Sequence, residues 1–448
     1  MKKLSVLLVA AIMVLALTMP AAAFENEFGG YWRTRFFTDI GFSGEDKVNK
    51  QDVNAADTRT RLFYTAKFSE NLKFVNKFEF NATWGGNGTY GQVGADATDA
   101  FRIKNSYVDF KLAEQRFTVG VQGFDLARGY LFADDAAGIK AIFKVNDAVY
   151  LPLIYMKLYE GGSGRIPSAA NANSASNYDM QAYVFYPTIY LNKDNTLKPH
   201  VAYLSSENAS LAKGKNLALA PAGVTEVNLW TAGLEYDGKI DIFDFGATGI
   251  FEFGDAKTPG AAHDKLNYKG YLFDLFGGVN LGPANIHLKG IYASGNNKDD
   301  LANGDMKAFV NPGVKDNIGA SYYWAEIMGD GLIDNQTPGG APGDKISNVW
   351  IGNLGASYKV LPTLKFSADL WYAKHAEDVQ VKSTTAAKKY TSDLGTELDL
   401  VASYTIVDNL KIDLIGAYLW AGDAITKYND ATGSTNPIEL ATMLSLAF

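Results

Sequence analysis

The feature that most constrains the fold is an alternation of apolar and polar residues with a period of two. Successive side chains of a β-strand point to opposite faces, whereas a helix would mix the two sets. The alternation recurs at 72–84, 364–372 and 410–420. In the last eleven residues, one face would carry Ile438, Leu440, Thr442, Leu444, Leu446 and Phe448. We therefore expect an all-β protein.

The N-terminus has the pattern of a secretory signal peptide. Lys2 and Lys3 precede an apolar run from Leu4 to Met19, and Ala21 to Ala23 supply the small residues that signal peptidase accepts. We predict that residues 1–23 are cleaved, which leaves 24–448 as the mature chain. After this run, no stretch approaches the roughly 18 apolar residues of a transmembrane helix, so the mature chain would cross a membrane as strands.

Composition excludes several other classes of protein. The chain has no cysteine, which rules out disulfide-stapled folds and thiolate metal sites. Its formal net charge of -8 argues against a nucleic-acid binder, since such proteins present a basic face. The 44 glycines and only 13 prolines suit extended strands joined by tight turns.

Short turns and long polar loops alternate along the chain, as in transmembrane barrels with short periplasmic turns and long extracellular loops. Eight short turns would separate nine hairpins, which predicts an antiparallel up-and-down barrel of about 18 strands. The segment from Gly295 to Lys345 is ambiguous: within it, Ile318 to Met328 fits a strand, a short helix or a folded loop, so 16 or 20 strands are alternatives. A soluble two-sheet sandwich is a further alternative. The turns are at 69–71, 113–115, 146–148, 193–196, 237–239, 281–285, 361–363 and 407–409.

These features resemble those of bacterial outer-membrane porins, and we therefore predict that 24–448 form a single outer-membrane β-barrel domain. The final strand, with Leu444, Leu446 and an aromatic Phe448 at its end, is similar to the signature by which barrel-assembly machinery recognises its clients. The segment from Val119 to Gly138 is in addition similar to a strand and loop of 18-stranded alginate-export-type channels. It departs from them at Val121, where we would expect an arginine before the glutamine.

The resemblance to porins implies a pore constriction made by the third long loop, which folds inward in the general porin plan. Here that loop is Gly123 to Ala137, and the charges it would present to the pore are Asp125, Arg128, Asp134 and Asp135. The alternative is an ordinary external loop. Selectivity depends on the charges that line the narrowest section of a channel, so these four residues are candidate site residues.

Basic residues on three early strands form a predicted lumen ladder. If Trp32, Thr34 and Phe36 face lipid, Arg33 and Arg35 face the lumen, and the same alternation on the next strand places Arg59 and Arg61 there. An arginine facing lipid near the midplane would cost about 2 to 4 kcal/mol, which favours this assignment. We expect this ladder to oppose the acidic loop across the pore; a rim cluster that binds acidic loops or lipopolysaccharide phosphates is the alternative. The ladder consists of Arg33, Arg35, Arg59, Arg61, Lys73 and Lys77.

The sequence contains little that indicates catalysis, a metal site or a cofactor site. Of the four histidines, His200 and His287 fall on lumen-facing positions, and neither has a serine or carboxylate at an obvious partnering spacing. The aspartates and asparagines at 297–305 could bind calcium, but they do not match the regular twelve-residue ligand spacing. We predict no enzyme activity, no cofactor and no metal.

The sequence therefore predicts a porin for passive diffusion of small hydrophilic solutes and ions in the outer membrane. The alternatives are a substrate-selective export or uptake channel, and a barrel that sheathes a partner such as an electron-transfer complex. The expected partners are the lipid bilayer, lipopolysaccharide, barrel-assembly machinery and small polar solutes, with no nucleic acid. The resemblance to porins also implies a homotrimer.

Overall fold

The computed structural model describes residues 24–43, 52–86, 101–159, 179–206, 224–258, 263–311, 322–334 and 336–448. The predicted signal peptide at 1–23 lies outside these ranges. Within them, no helix is long and apolar enough to cross a bilayer. The helical segments are single turns at Ala127–Gly129, Leu301–Asn303 and Asp423–Thr426.

The described chain is nearly all β-structure. The strands are β1 Glu25–Ile40, β2 Val53–Ser69, β3 Leu72–Thr83, β4 Phe101–Leu112, β5 Gln115–Leu126, β6 Phe132–Asn146, β7 Val149–Tyr159, β8 Met180–Phe185, β9 Thr188–Asn192, β10 Asn195–Ser206, β11 Glu226–Ile240, β12 Phe243–Lys257, β13 Lys265–Tyr268, β14 Tyr271–Leu281, β15 Ala284–Ala293, β16 Asp305–Met306, β17 Val349–Leu361, β18 Leu364–Val381, β19 Lys389–Val407, β20 Leu410–Ala421 and β21 Ile438–Ala447.

These strands form one closed antiparallel barrel with eighteen wall positions, as predicted. Two positions are filled by interrupted strands, β8 with β9 and β13 with β14, because each pair is hydrogen-bonded to the same neighbour. Pro187 stands in the first interruption, where it has no N–H to give to the ladder. The two-residue β16 is an addition that pairs in parallel with β13.

The barrel closes between the first and last strands. β1 and β21 pair from Tyr31 opposite Ala447 to Ile40 opposite Ile438. Beyond this ladder, the Gly30 N–H donates to the Phe448 carbonyl at 2.6 Å. A side chain at Gly30 would collide with the Phe448 ring, so glycine leaves room for the terminal aromatic residue at the seam.

One rim carries the short turns, and seven of the eight lie within a residue or two of their predicted places. The turn expected at 237–239 is wrong. β11 continues to Ile240 and Gly238 pairs with Phe245 in the ladder, so the chain reverses at Asp241, whose φ of 53° is left-handed. At the opposite rim the connections are longer, such as the one from Ile40 to Val53.

A row of aromatic rings lies on the outer wall of the barrel. A continuous row crosses β8, β10, β11 and β12, with ring centroids 6.5 Å, 4.5 Å and 6.2 Å apart. Such girdles flank the apolar band of outer-membrane barrels. The row consists of Tyr183, Tyr203, Trp230 and Phe253.

The buried core lies inside the barrel, where two segments of the chain fold inward. Leu131 is fully buried in the connection between β5 and β6, and Ile327 is fully buried in the segment 322–334. The second segment, which the structure describes at 307–311 and 322–334, belongs to the ambiguous region from Gly295 to Lys345, around Ile318 to Met328. Its described part is a folded loop of turns rather than a strand or a regular helix.

Candidate functional site

The hairpin of β5 and β6 ends in a tip, residues 127–131, that turns into the lumen. Ala127 and Arg128 adopt left-handed φ values of 53° and 56° at the bend. Left-handed backbone at non-glycine residues is strained by about 1 to 3 kcal/mol each and persists only where surrounding contacts hold it. The contacts of the tip with the rest of the lumen therefore hold it in this conformation.

Arg128 anchors the tip to the far wall. Its Nε donates to the Thr248 hydroxyl at 2.8 Å, and its Nη2 donates to Asp237 Oδ1 at 2.7 Å and to the Tyr236 carbonyl at 3.0 Å. The guanidinium also lies 4.7 Å from the centre of the Phe276 ring. These partners belong to β11, β12 and β14, several wall positions away from β5 and β6. The tip therefore crosses part of the lumen.

The tip also meets the second inward segment. The Tyr130 ring stacks on Tyr322 with centroids 4.5 Å apart, and Asn311 Nδ2 donates to the Tyr130 carbonyl at 3.1 Å. Burial, with Asp274 nearby, raises the pKa of Tyr130 well above its usual value, so this phenol stays neutral. The two inward segments thus form one packed unit inside the barrel.

The other three residues of the predicted constriction loop lie on the strands rather than at the tip. Asp135 accepts from Asn105 Nδ2 at 2.6 Å and pairs with Lys104 at 2.5 Å, on the neighbouring strand β4. Asp134 accepts from the Asp135 N–H at 2.7 Å. Asp125, at the end of β5, lies within electrostatic range of the wall residues Lys198 and Glu235.

The second inward segment docks on acidic side chains of the wall. Both oxygens of Glu252 accept from the Val310 N–H, at 3.1 Å and 3.0 Å. Further along, the Ile327 and Met328 N–H groups donate to the two oxygens of Glu397, at 2.6 Å and 2.9 Å. Sequence reasoning missed Glu397. The sequence does indicate the orientation of this residue, because Glu397 alternates with apolar residues of β19 and so faces the lumen.

The wall beneath the segment 322–334 carries a row of carboxyl groups, hereafter the acidic row. Strand register aligns Asp369 of β18 with Asp399 of β19, then Ala417 of β20, Glu439 of β21 and Asp39 of β1. Small Ala417 leaves space in this row, and Glu326 of the segment lies in electrostatic range of Asp369, Asp399 and Glu439. Burial, together with Asp399 alongside, raises the pKa of Glu326 to about 8.

The four arginines of the predicted ladder meet acidic partners in the lumen. Arg35 Nε donates to Asp57 at 2.9 Å, Arg61 Nε donates to Glu79 at 2.7 Å, and Arg59 Nε donates to Asn81 at 2.8 Å.

Asp334, in the second inward segment, lies between three of these arginines. Its carboxylate is 3.7 Å from Arg33 and 3.9 Å from Arg59, and its carbonyl accepts from Arg35 Nη1 at 3.1 Å. The inward segment that brings an acidic side chain to the ladder is thus the second one, through Asp334, and not the expected loop at Gly123 to Ala137.

The two lysines of the ladder lie nearer the short-turn rim. Lys77 lies 4.9 Å from the centre of the Phe63 ring, and Lys73 lies opposite Lys67 in the register of β2 with β3. Arg102 and Lys104 lie beside a bulge, where the pairing of β3 with β4 slips between Lys77 and Phe78. The slip sets Arg102 opposite lumen-facing Glu79.

The histidines differ from expectation in one respect. His287 has a carboxylate partner after all, since its Nε2 lies 2.8 Å from Asp369 Oδ1, and its Nδ1 lies 3.0 Å from Asn285 Oδ1. His200 is buried and stacks on Tyr186 at 5.4 Å. Within the described ranges, no group of three or more potential ligands could hold a metal ion.

Comparison with known proteins identifies the family. The sequence model described as "Alginate export" matches residues 170–438, which is more than half of the chain. The chain belongs to the alginate export family. No curated protein sequence matches this family member. The family and the barrel place it in the bacterial outer membrane.

Solved structures share the fold of this alginate export family barrel. Acinetobacter baumannii OccAB4 is 12% identical with a TM-score of 0.55, over 95% of this chain and 98% of that chain. Pseudomonas aeruginosa OccK11 (OpdR) is 11% identical with a TM-score of 0.54, over 94% and 96% of the two chains. Pseudomonas aeruginosa OpdO is 11% identical with a TM-score of 0.55, over 95% and 97%. At such identities the likeness concerns the fold alone.

Proposed function

We propose that this protein is an outer-membrane channel for passive diffusion of small hydrophilic solutes and ions. The observation that carries the proposal is a closed eighteen-strand barrel whose inner wall is lined with ionised side chains. A barrel of this size is too wide for its wall side chains alone to fill, so its interior holds water wherever no segment is packed. Charges such as the Arg61–Glu79 pair favour that water.

The two inward segments would set the width and the field of this channel. The tip at 127–131 and the segment 322–334 each reach a wall far from their own strands, so solutes would pass beside them rather than along a full-width cylinder. Arg128 would act as an anchor of the constriction. The acidic row on one side and the basic ladder on the other would create a field across the remaining space.

A substrate-selective channel is the second candidate. The family description names alginate export, and the amount of the lumen occupied by packed chain suits a channel that selects. A sheath around a protein partner has less support, since the tip and the segment 322–334 already lie where such a partner would pass. We propose no catalysis and no cofactor.

The remaining partners follow from the outer wall and the seam. We propose that barrel-assembly machinery recognises the last strand through Leu444, Leu446 and Phe448. Phe448 is 55% exposed beside the seam. The aromatic row would face the headgroups of the bilayer and lipopolysaccharide. Assembly as a homotrimer is a further proposal.

Reversal potentials in a planar bilayer under a salt gradient would test the function and the role of the ladder. Replacing Arg33, Arg35, Arg59 and Arg61 by glutamine should lower the permeability of anions relative to cations, because the lumen loses four positive charges. Lys193→Gln, which removes a 90% exposed charge at the short-turn rim, is the control. Absence of channels from verified folded protein would contradict the function, and unchanged reversal potentials would contradict the role of the ladder.

A further inference from the structure

The segment 322–334 is held to the wall by two contact sets of opposite chemical character. At its end, Asp334 lies beside Arg33 and Arg59, an ion-pair arrangement that requires an ionised carboxylate. In its middle, the buried Glu326 lies within electrostatic range of carboxyl groups of the wall, an arrangement that ionisation of every member would destabilise. The same segment thus has one contact that requires an ionised carboxylate and another that is favoured by protonated carboxyl groups.

The contact in the middle of the segment is tightly buried. Glu326 is 5% exposed, Glu397 and Glu439 are 0% exposed, and Asp399 is 5% exposed. The wall holds the segment through backbone N–H groups, since Asp399 Oδ2 accepts from the Glu326 N–H at 3.2 Å and Glu397 accepts from the next two residues. Glu326 itself accepts from the Leu332 N–H at 2.8 Å, which closes the loop on itself.

No lysine or arginine of the described chain forms an ion pair with Glu326, Glu397, Asp399 or Glu439. Buried like charges within electrostatic range of one another repel, so docking is most favourable when some of these carboxyl groups carry protons. The other charged or titratable groups that face the segment are Asp39, Asp369 with His287, Asp413 with Lys411, Lys289, Arg128 and Asp274, and Arg33, Arg35 and Arg59 with Asp57 and Glu79. The segment and its continuation add Asp330, Asp334, Asp344 and Lys345.

We propose that residues 322–334 form a gate that docks on the acidic row through shared protons and undocks when the row ionises, so that conduction increases with pH. The proposal rests on the proposed channel function. Its geometric basis is the buried position of Glu326, within electrostatic range of carboxyl groups on three strands of the wall, together with the hydrogen bond from its backbone N–H to Asp399. By itself, the acidic row is part of the rigid wall. Because residues 322–334 dock on it inside the lumen, its protonation state can change the cross-section of the lumen that is open to solutes.

The direction follows from the two carboxyl groups on the segment. Burial and Asp399 raise the pKa of Glu326 to about 8, and burial with Asp344 and Asp334 nearby raises the pKa of Asp330 to about 6. Because both pKa values are higher docked than free, docking is strongest below the ordinary carboxyl range and weakens as pH rises through these values. Each proton that is released on undocking lowers the ratio of docked to undocked protein by up to about tenfold per pH unit.

A labelling experiment tests the gate without relying on conduction. The chain has no cysteine, so Met328→Cys places a unique thiol in the docked surface, where Met328 is 0% exposed. Its maleimide labelling rate in the refolded barrel is divided by that of the exposed Ala386→Cys, which cancels the pH dependence of the thiol. Ala325→Cys, at another fully buried position, repeats the measurement if the first variant does not fold.

We expect the rate ratio to rise by about tenfold or more between about pH 6 and pH 9. Glu326→Gln, which mimics the protonated carboxyl, should reduce that rise to below about threefold. Glu70→Gln, an 85% exposed carboxyl at the short-turn rim, should leave it unchanged. A constant ratio, or the same response in Glu326→Gln and Glu70→Gln, would overturn the proposal.

Conductance of the same proteins separates this inference from the channel function. Steps that grow with pH in the unsubstituted protein and in Glu70→Gln, but less in Glu326→Gln, would support both. Steps that do not change with pH would overturn the gate and leave the channel in place. A pH-dependent labelling ratio without any conductance would instead contradict the channel function and keep the movement of the segment.

Discussion

Removing the Arg128 side chain should release the tip of the β5–β6 hairpin from the far wall. Arg128→Ala deletes three hydrogen bonds and the contact with the Phe276 ring. Hydrogen bonds to charged groups contribute about 1.5 to 3 kcal/mol each when buried, and a cation–π contact adds about 0.5 to 1 kcal/mol. The Asp237 side chain is 39% exposed, so solvent screening reduces its share.

The hydrogen bonds to Thr248 and Tyr236 and the ring contact together predict a loss of about 3.5 to 7 kcal/mol, which lowers the docked-to-undocked ratio of the tip by more than about 300-fold. Single-channel conductance should increase and its noise should grow, because the tip no longer narrows the lumen at one position. Arg116→Ala is the matched control, since Arg116 pairs with Asp109 of the adjacent strand rather than across the lumen.

A second variant separates lost contacts from backbone strain. Arg128→Gly loses the same contacts, but glycine tolerates the left-handed φ of 56° without cost. The tip should therefore stay docked better in Arg128→Gly than in Arg128→Ala, by about 1 kcal/mol. If Arg128→Ala conducts like the unsubstituted protein while the tip remains docked, the reasoning about the anchor is refuted.

Three further outcomes are expected. Asp334→Asn should shift the reversal potential toward anions, because Arg33 and Arg59 lose their shared partner; a shift toward cations would contradict the pairing. Glu397→Ala should weaken docking of the segment by about 2 to 4 kcal/mol, because two buried N–H groups lose their acceptor, and the Met328→Cys labelling rate measures this. Removal of Phe448 should lower the yield of assembled barrel in the outer membrane, measured by heat-modifiable mobility, and normal yield would count against its proposed recognition.

The wall of the barrel could be predicted from the sequence because each of its strands keeps the period of two. Seven of the eight short turns could be located, since turn residues interrupt that period. The eighth was misplaced because Asp237 and Gly238 have turn chemistry, yet they pair within the ladder. Here strand register overrode local propensity, since the reversal at Asp241 extends the pairing of β11 with β12.

The interior could be predicted only in part. The alternation of apolar and polar residues was enough to predict that the arginine ladder faces the lumen. The contact of Arg35 with Asp334 could not be predicted, because the two residues are 299 positions apart and no local pattern indicates such a contact. The position of Arg128 at the tip was suggested by the resemblance to porins, whereas its partners on β11, β12 and β14 depend on the path of the hairpin through the lumen. The acidic row depends likewise on register across five wall strands.

The most direct test of a water-filled channel narrowed from within is single-channel conductance of refolded residues 24–448 in a planar bilayer. It should be recorded beside a variant in which residues 322–334 are replaced by a short glycine–serine linker. Stable open steps in both proteins, with larger steps in the variant, are the expected result. Identical steps would contradict the narrowing by the segment, and absence of steps from both folded barrels would contradict the channel itself.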